Sequence, residues 1–144
     1  MRWPSGDDGN AVVEFVYLSV LLMVPLLYVL VTVFQVQSAA FGVTEAARQA
    51  GRAFATAETT AQGAARAAAA TELALGDQGL SPGERALTLS APQGLQPGGT
   101  VTAVVRHDVT LPVLGGLFGR VEPTIPVRAT HVEVVDLFRE TPAG

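Results

Sequence analysis

One run of apolar residues governs what this chain can become. Residues 11–34, AVVEFVYLSVLLMVPLLYVLVTVF, hold a single charged side chain, Glu14, near their start. As a helix, about 24 residues rising about 1.5 Å each reach about 36 Å, enough to cross a hydrocarbon layer of about 30 Å with some tilt. The whole chain has 144 residues, room for one compact domain beside such a segment and little else. Hydrophobic residues make up 49% and charged residues 15%, and the position of the run assigns that excess to lipid rather than to a large soluble core. Pro25, in mid-run, must forgo a backbone hydrogen bond, so a bend or a loosened turn is expected there.

Residues 35–75 are rich in alanine, contain no proline, and are interrupted only by Gly42, Gly51 and Gly63. Helix propensity is high throughout, so one helix is expected to leave the membrane and continue over 35–76. Val36, Ala40, Val43, Ala47, Ala50, Phe54, Ala57, Ala61, Ala64 and Ala68 recur at alternating steps of four and three, which traces one seam along that helix. Small side chains on the seam allow close approach, either of the protein's own sheet or of neighbouring helices. Arg48, Arg52, Arg66, Glu45 and Glu58 keep the other side wet, and Glu45 and Arg48 have the spacing of an i,i+3 pair. Gly76, with Asp77, Gln78 and Gly79 behind it, marks the helix stop.

From Ser81 onward proline, glycine, threonine and valine take over, the composition of strands and turns. Residues 85–91 alternate around Leu87 and Leu89. Residues 100–111 place Val101, Ala103, Val105, Val109 and Leu111 on one face with His107, and residues 127–135 form a third strand. Connections at 92–99 and 112–126 and a loose tail at 141–144 complete the chain. The expected fold class is α+β: a leader at 1–9, a transmembrane helix at 10–34, an extramembrane helix at 35–76, and a small antiparallel sheet within 81–139 lying on that helix.

Composition removes several functions. Net charge is −4 with no basic cluster, so nucleic acid is not an expected partner. Cysteine is absent and all nine basic residues are arginine. That leaves no disulfide, thiolate metal site, thiol nucleophile, P-loop lysine or Schiff-base lysine. His107 and His131 with Asp108 and Glu133 nearby suggest hydrogen-bonded sheet residues rather than a metal site, because the full ligand set is missing. Gly115, Gly116 and Gly119 in LPVLGGLFGR lack the strand-to-helix setting of a dinucleotide fingerprint, and read as an apolar loop touching membrane, sheet or partner. Asp136, Glu122 and the serines form no nucleophile-and-base pattern, so neither an enzyme nor a cofactor is expected.

The chemistry that remains sits at the start of the apolar run. A polar leader, MRWPSGDDG, ends at Gly9 and is followed by NAVVEF, which puts Glu14 fifth after that glycine. A carboxylate at the centre of a membrane helix costs about 2.5–3.5 kcal/mol on insertion scales, less near its end, and such a residue ordinarily has a function and a partner. No cation stands near it in its own span. Cutting the chain after Gly9 would create an amine at Asn10, and Glu14 of one subunit could pair with that amine on its neighbour.

Gly9, Asn10, Ala11, Val12, Val13, Glu14 and Phe15 together resemble the processing site of type IV prepilins, where a membrane prepilin peptidase cleaves after glycine. The Glu14–Phe15 pair, the long apolar run and VQSAAFGVTEAARQAGRAFATA behind it resemble TadE-like and TadG-like pseudopilins of the tight-adherence (Flp) pilus system. The likeness is specific over residues 1–60 and only topological beyond. The leader departs from the pattern in carrying Asp7 and Asp8, with Arg2 its only basic side chain. The resemblance implies a bacterial minor pilin or pilus assembly protein with a pilin-like fold, a single-pass protein of the cell membrane with its C-terminal domain extracytoplasmic. Gly9 and Asn10 would flank the cleaved bond, and Glu14 and Phe15 would mediate subunit pairing. Its partners would be the peptidase, other pilins or Tad assembly proteins, and the lipid bilayer. Two rival readings are a secreted soluble protein cut near Ser38, Ala39 and Ala40, and an uncleaved membrane-anchored binding domain. The apolar run exceeds the roughly 7–15 residues of a signal-peptide core, and simple anchoring leaves Glu14 without a purpose.

Overall fold

A computed structural model describes residues 8–83, 86–111 and 123–139, with side chains from Asn10 onward. Most of the leader, Arg85, Glu122, the glycines of LPVLGGLFGR and the tail at 141–144 lie outside the described residues. The element order is α1 (Asp8–Ala55), α2 (Thr60–Asp77), β1 (Leu87–Ser90), β2 (Thr100–Thr110) and β3 (Thr124–Val134). Two compact units divide the chain, Met1–Phe34 and Gln35–Gly144.

In the first unit α1 runs unbroken through Pro25. Side chains all around it are exposed, among them Val12, Phe15, Leu18, Leu22, Leu26 and Phe34. A helix that is apolar on every side buries itself in a core or in lipid, and this one has no core. Thr32 donates its hydroxyl proton to the Tyr28 carbonyl at 2.9 Å, which satisfies that polar group inside the apolar stretch.

In the second unit two helices pack against one face of a three-stranded antiparallel sheet of order β1-β2-β3. One core cluster joins Ala39, Val43, Ala46 and Ala47 of α1 to Leu75 of α2 and to Val105 and Val109 of β2. A second joins Ala50 and Phe54 to Ala67, Val101, Ala103 and Val135. The strand faces match the alternation in the sequence: Val101, Ala103, Val105, Val109 and Leu111 are buried and His107 is half-buried beside them.

The single helix expected over 35–76 is corrected to a helical hairpin, broken at residues 56–59. Thr59 caps α2, its hydroxyl accepting from the Gln62 amide at 3.2 Å, while the Gln62 side chain accepts from the Glu58 amide at 3.0 Å. The cap bond resembles half of a capping box, with the returning Gln62 side chain taking the amide of the residue before the cap instead of that of Thr59 itself, and together the two bonds start a new helix at a fixed point. Gly63 lets α2 approach closely, since a Cβ there would lie 3.1 Å from the Phe54 carbonyl oxygen. The break also resets the helical phase. Of the expected seam, Val43, Ala47, Ala50, Phe54 and Ala57 are buried and Val36 is half-buried, but Ala40, Ala61, Ala64 and Ala68 face outward. Ala39 replaces Ala40, and in α2 the buried positions are Gly63, Ala67, Thr71, Ala74 and Leu75.

Smaller boundaries shift as well. The stop of α2 is made by Gly79, whose φ of 69° places it in the left-handed region, while Gly76 stays helical. Glu45 accepts from the Gln49 side chain at 2.7 Å, and no pair with Arg48 is formed. β3 starts at Thr124, so Pro126 belongs to a strand rather than to the connection. It is tolerated because β3 is an edge and odd-numbered residues carry the ladder. Leu111 donates to the Pro123 carbonyl and Val135 to that of Gly99, so the missing Pro126 amide would have faced away from β2.

Arg139 fastens the end of the chain to the hairpin. Its guanidinium donates to the Ala55 carbonyl at 3.1 Å and also to the Ala57 carbonyl. These are among the last carbonyls of α1 and the first of the turn, which have no intrahelical donor. Arg139→Ala should cost about 1–2 kcal/mol, read as a lower unfolding midpoint of the full chain in detergent with unchanged helix content. An unchanged midpoint would show that the two carbonyls find water equally well.

Candidate functional site

The four residues singled out at the N-terminus all lie on α1. Gly9 and Asn10 belong to its first turn, because the helix begins at Asp8. The first N–H groups of a helix have no intrahelical acceptors, so exposing the Gly9–Asn10 bond in an extended form disrupts few hydrogen bonds. Asn10 and Glu14 are four residues apart and therefore share one face of the helix. Phe15 projects from the adjoining position and is 71% exposed.

Glu14 is exposed and pairs with no cation among the described residues. It stands within a helix long and apolar enough to cross a membrane, with a mean hydropathy of 2.5 in its apolar window and none of that window buried. The arrangement presents a carboxylate and an aromatic ring outward, one helical turn from Asn10. Among the described residues of that helix, no other side chain between Asn10 and Phe34 carries a charge that could pair with the carboxylate.

The sheet histidines do not converge. His131 and Glu133 face α1 from β3 and pair at 3.0 Å between Nε2 and Oε2, each about one-third exposed. His107 lies opposite Val127, whereas His131 lies opposite Ala103. Four strand residues separate the two levels, about 13 Å, and Asp108 points to the opposite face. Gly51 of α1 lies against His131, where a Cβ would come within 3.1 Å of the ring. The His131–Glu133 pair thus belongs to the helix–sheet contact.

Register brings together two residues that the sequence did not single out. Arg106 of β2 and Arg128 of β3 are directly opposite on the outer face of the sheet. They line a cleft of about 650 Å³ with Ser81, His107 and Asp108. Sequence spacing alone could not find them, because only strand pairing sets them side by side.

Comparison with family models, with curated proteins and with solved structures finds no match for this chain.

Proposed function

We propose that this protein is a TadE-like pilus assembly protein, a minor pseudopilin anchored in the cell membrane by α1. Prepilin peptidase removes the leader after Gly9, and the rest acts through subunit contacts rather than catalysis. The observation that carries this reading is Glu14, an exposed carboxylate without a described partner in an otherwise apolar helical stretch. Cleavage would supply the missing cation as the α-amine of Asn10. Because Asn10 and Glu14 share a helix face, two subunits brought together on that face form the pair reciprocally, with Phe15 packed beside it. The helical hairpin on a small sheet then forms the extracytoplasmic domain.

The core also favours this reading over secretion. Ala39 is fully buried in the α1–α2–sheet cluster, so a signal-peptide cut near Ser38 would remove the start of the packed helix. N-terminal sequencing of the mature protein from a membrane fraction tests the proposal. A start at Asn10 is expected. A start near Phe41 would favour secretion, and an intact leader would favour simple anchoring.

A further inference from the structure

β3 is an edge of the sheet, paired with β2 alone. Its odd-numbered residues carry that ladder, so the backbone groups of Arg128, Thr130, Val132 and Val134 point the other way. Among the described residues nothing bonds to them. An uncovered edge of this kind is a template for another strand. The register with β2 runs from Thr124 to Val134 without a bulge that would twist the edge away. Pro126, which has no amide to offer, ends the usable stretch on one side.

The side chains decide which strand fits. Val132 and Val134 are exposed on the outer face, while His131 and Glu133 stand on the inner face, each about one-third exposed. Ionisable residues at an edge discourage an arbitrary strand, so the occupant has to match them. A second copy of β3, laid antiparallel about a two-fold axis at Val132, does so. In that register Val132 meets its own copy, Thr130 meets Val134, His131 meets Glu133, and Arg128 meets Asp136 just past the strand. Opposite charges and apolar pairs facing each other stabilise a ladder. The neighbouring registers that also bring outward amides together fit worse. Centring on Glu133 sets carboxylate against carboxylate, and centring on His131 sets each Glu133 against Ala129. Beneath the edge, Glu45, Arg48 and Arg52 of α1 line a cleft with His131 and Glu133. Their two carboxylates and two guanidinium groups balance, so α1 raises no charge barrier to a second copy.

We infer that β3 pairs with β3 of a second copy of this chain, antiparallel and centred on Val132, to form one sheet continuous across two molecules. Because the same edge is used by both, the contact closes as a dimer and does not propagate. It involves the unit Gln35–Gly144 alone and requires neither leader removal nor pairing at Glu14, so the failure of either reading leaves the other standing.

Site-directed crosslinking of the full-length chain in detergent tests this. Cysteine is absent from the sequence, so introduced thiols meet no background. V132C should form a disulfide-linked dimer under mild oxidation, since facing residues of a hydrogen-bonded antiparallel pair have Cα atoms about 5.5 Å apart, within disulfide reach. T130C and V134C should link poorly alone and readily when mixed. T88C, exposed on β1, is the control. Proline at position 130 removes an amide that the chain's own sheet does not use, and by symmetry two bonds of the dimer are lost. T130P in the V132C chain should therefore slow linkage by about tenfold or more with little change in the thermal transition; V134P carries the comparison should T130P unfold. Linkage of V132C no faster than that of T88C overturns the inference. So does a T130C and V134C mixture that links no better than either alone. Linkage that depends on Glu14 but ignores both prolines would place the contact on α1 instead. A chain that stays monomeric, with its Thr130, Val132 and Val134 amides protected from exchange only when other membrane proteins are added, would assign the edge to a different partner.

Discussion

Replacing Leu75 by alanine should destabilise the sheet domain by about 2–5 kcal/mol, a large part of the roughly 5–15 kcal/mol that holds a domain together. Leu75 is fully buried and is among the largest side chains in the core. Its neighbours in the cluster include Ala39, Ala46, Ala47 and Ala74. Alanines have no rotamers with which to fill a void, so the cavity stays open. Amide hydrogen exchange in β2, followed with urea on the full chain in detergent, reads the domain separately from the apolar helix. A paired comparison isolates the hairpin. Ala68→Leu should change stability by less than about 0.5 kcal/mol, because Ala68 is exposed. Ala67→Leu should cost about 1–3 kcal/mol through overpacking, since Ala67 is fully buried. A continuous helix would reverse the order of the two, because its seam runs through Ala68.

The difference between those two alanines shows where sequence reasoning stopped. Helix propensity and a three-and-four rhythm carried the seam correctly from Val43 to Ala57, and alternation gave the inner face of β2 residue by residue. Both patterns are local, and both follow from the periodicity of a single element. The break between α1 and α2 also had a local sign in Thr59 and Gln62, but alanines on either side masked it. Its second support, Arg139 on the carbonyls of Ala55 and Ala57, comes from a residue 82 to 84 positions away. No window of sequence contains that contact. The same limit hid Arg106 and Arg128, whose juxtaposition exists only once β2 and β3 are in register. Glu14 was visible from the outset because a charge within an apolar run needs no tertiary structure to stand out.

If Glu14 pairs between subunits as proposed, Glu14→Ala should reduce subunit association by about 10- to 100-fold, the equivalent of the roughly 1.5–3 kcal/mol carried by a charge-assisted hydrogen bond. Membrane insertion should be undiminished, because the substitution removes the one charge from residues 11–34 and lowers the cost of entering lipid. The proposed leader removal should also be unaffected, since Gly9 and Asn10 are untouched. Glu14→Gln separates charge from shape. It keeps the length of the side chain and its hydrogen-bonding capacity but cannot neutralise an amine, so it should behave like alanine if the partner is the Asn10 α-amine. Blocking cleavage with a substitution at Gly9 leaves Glu14 in place and denies it that amine. Combined with Glu14→Ala, it should therefore add little to the assembly defect of either change alone. Two independent, additive defects would mean that the carboxylate and the new N-terminus never meet. Crosslinking between membrane-extracted subunits, quantified for the native protein and each variant, measures the association directly. Full assembly by Glu14→Gln would point to a neutral hydrogen bond and remove the reason for linking this carboxylate to proteolysis.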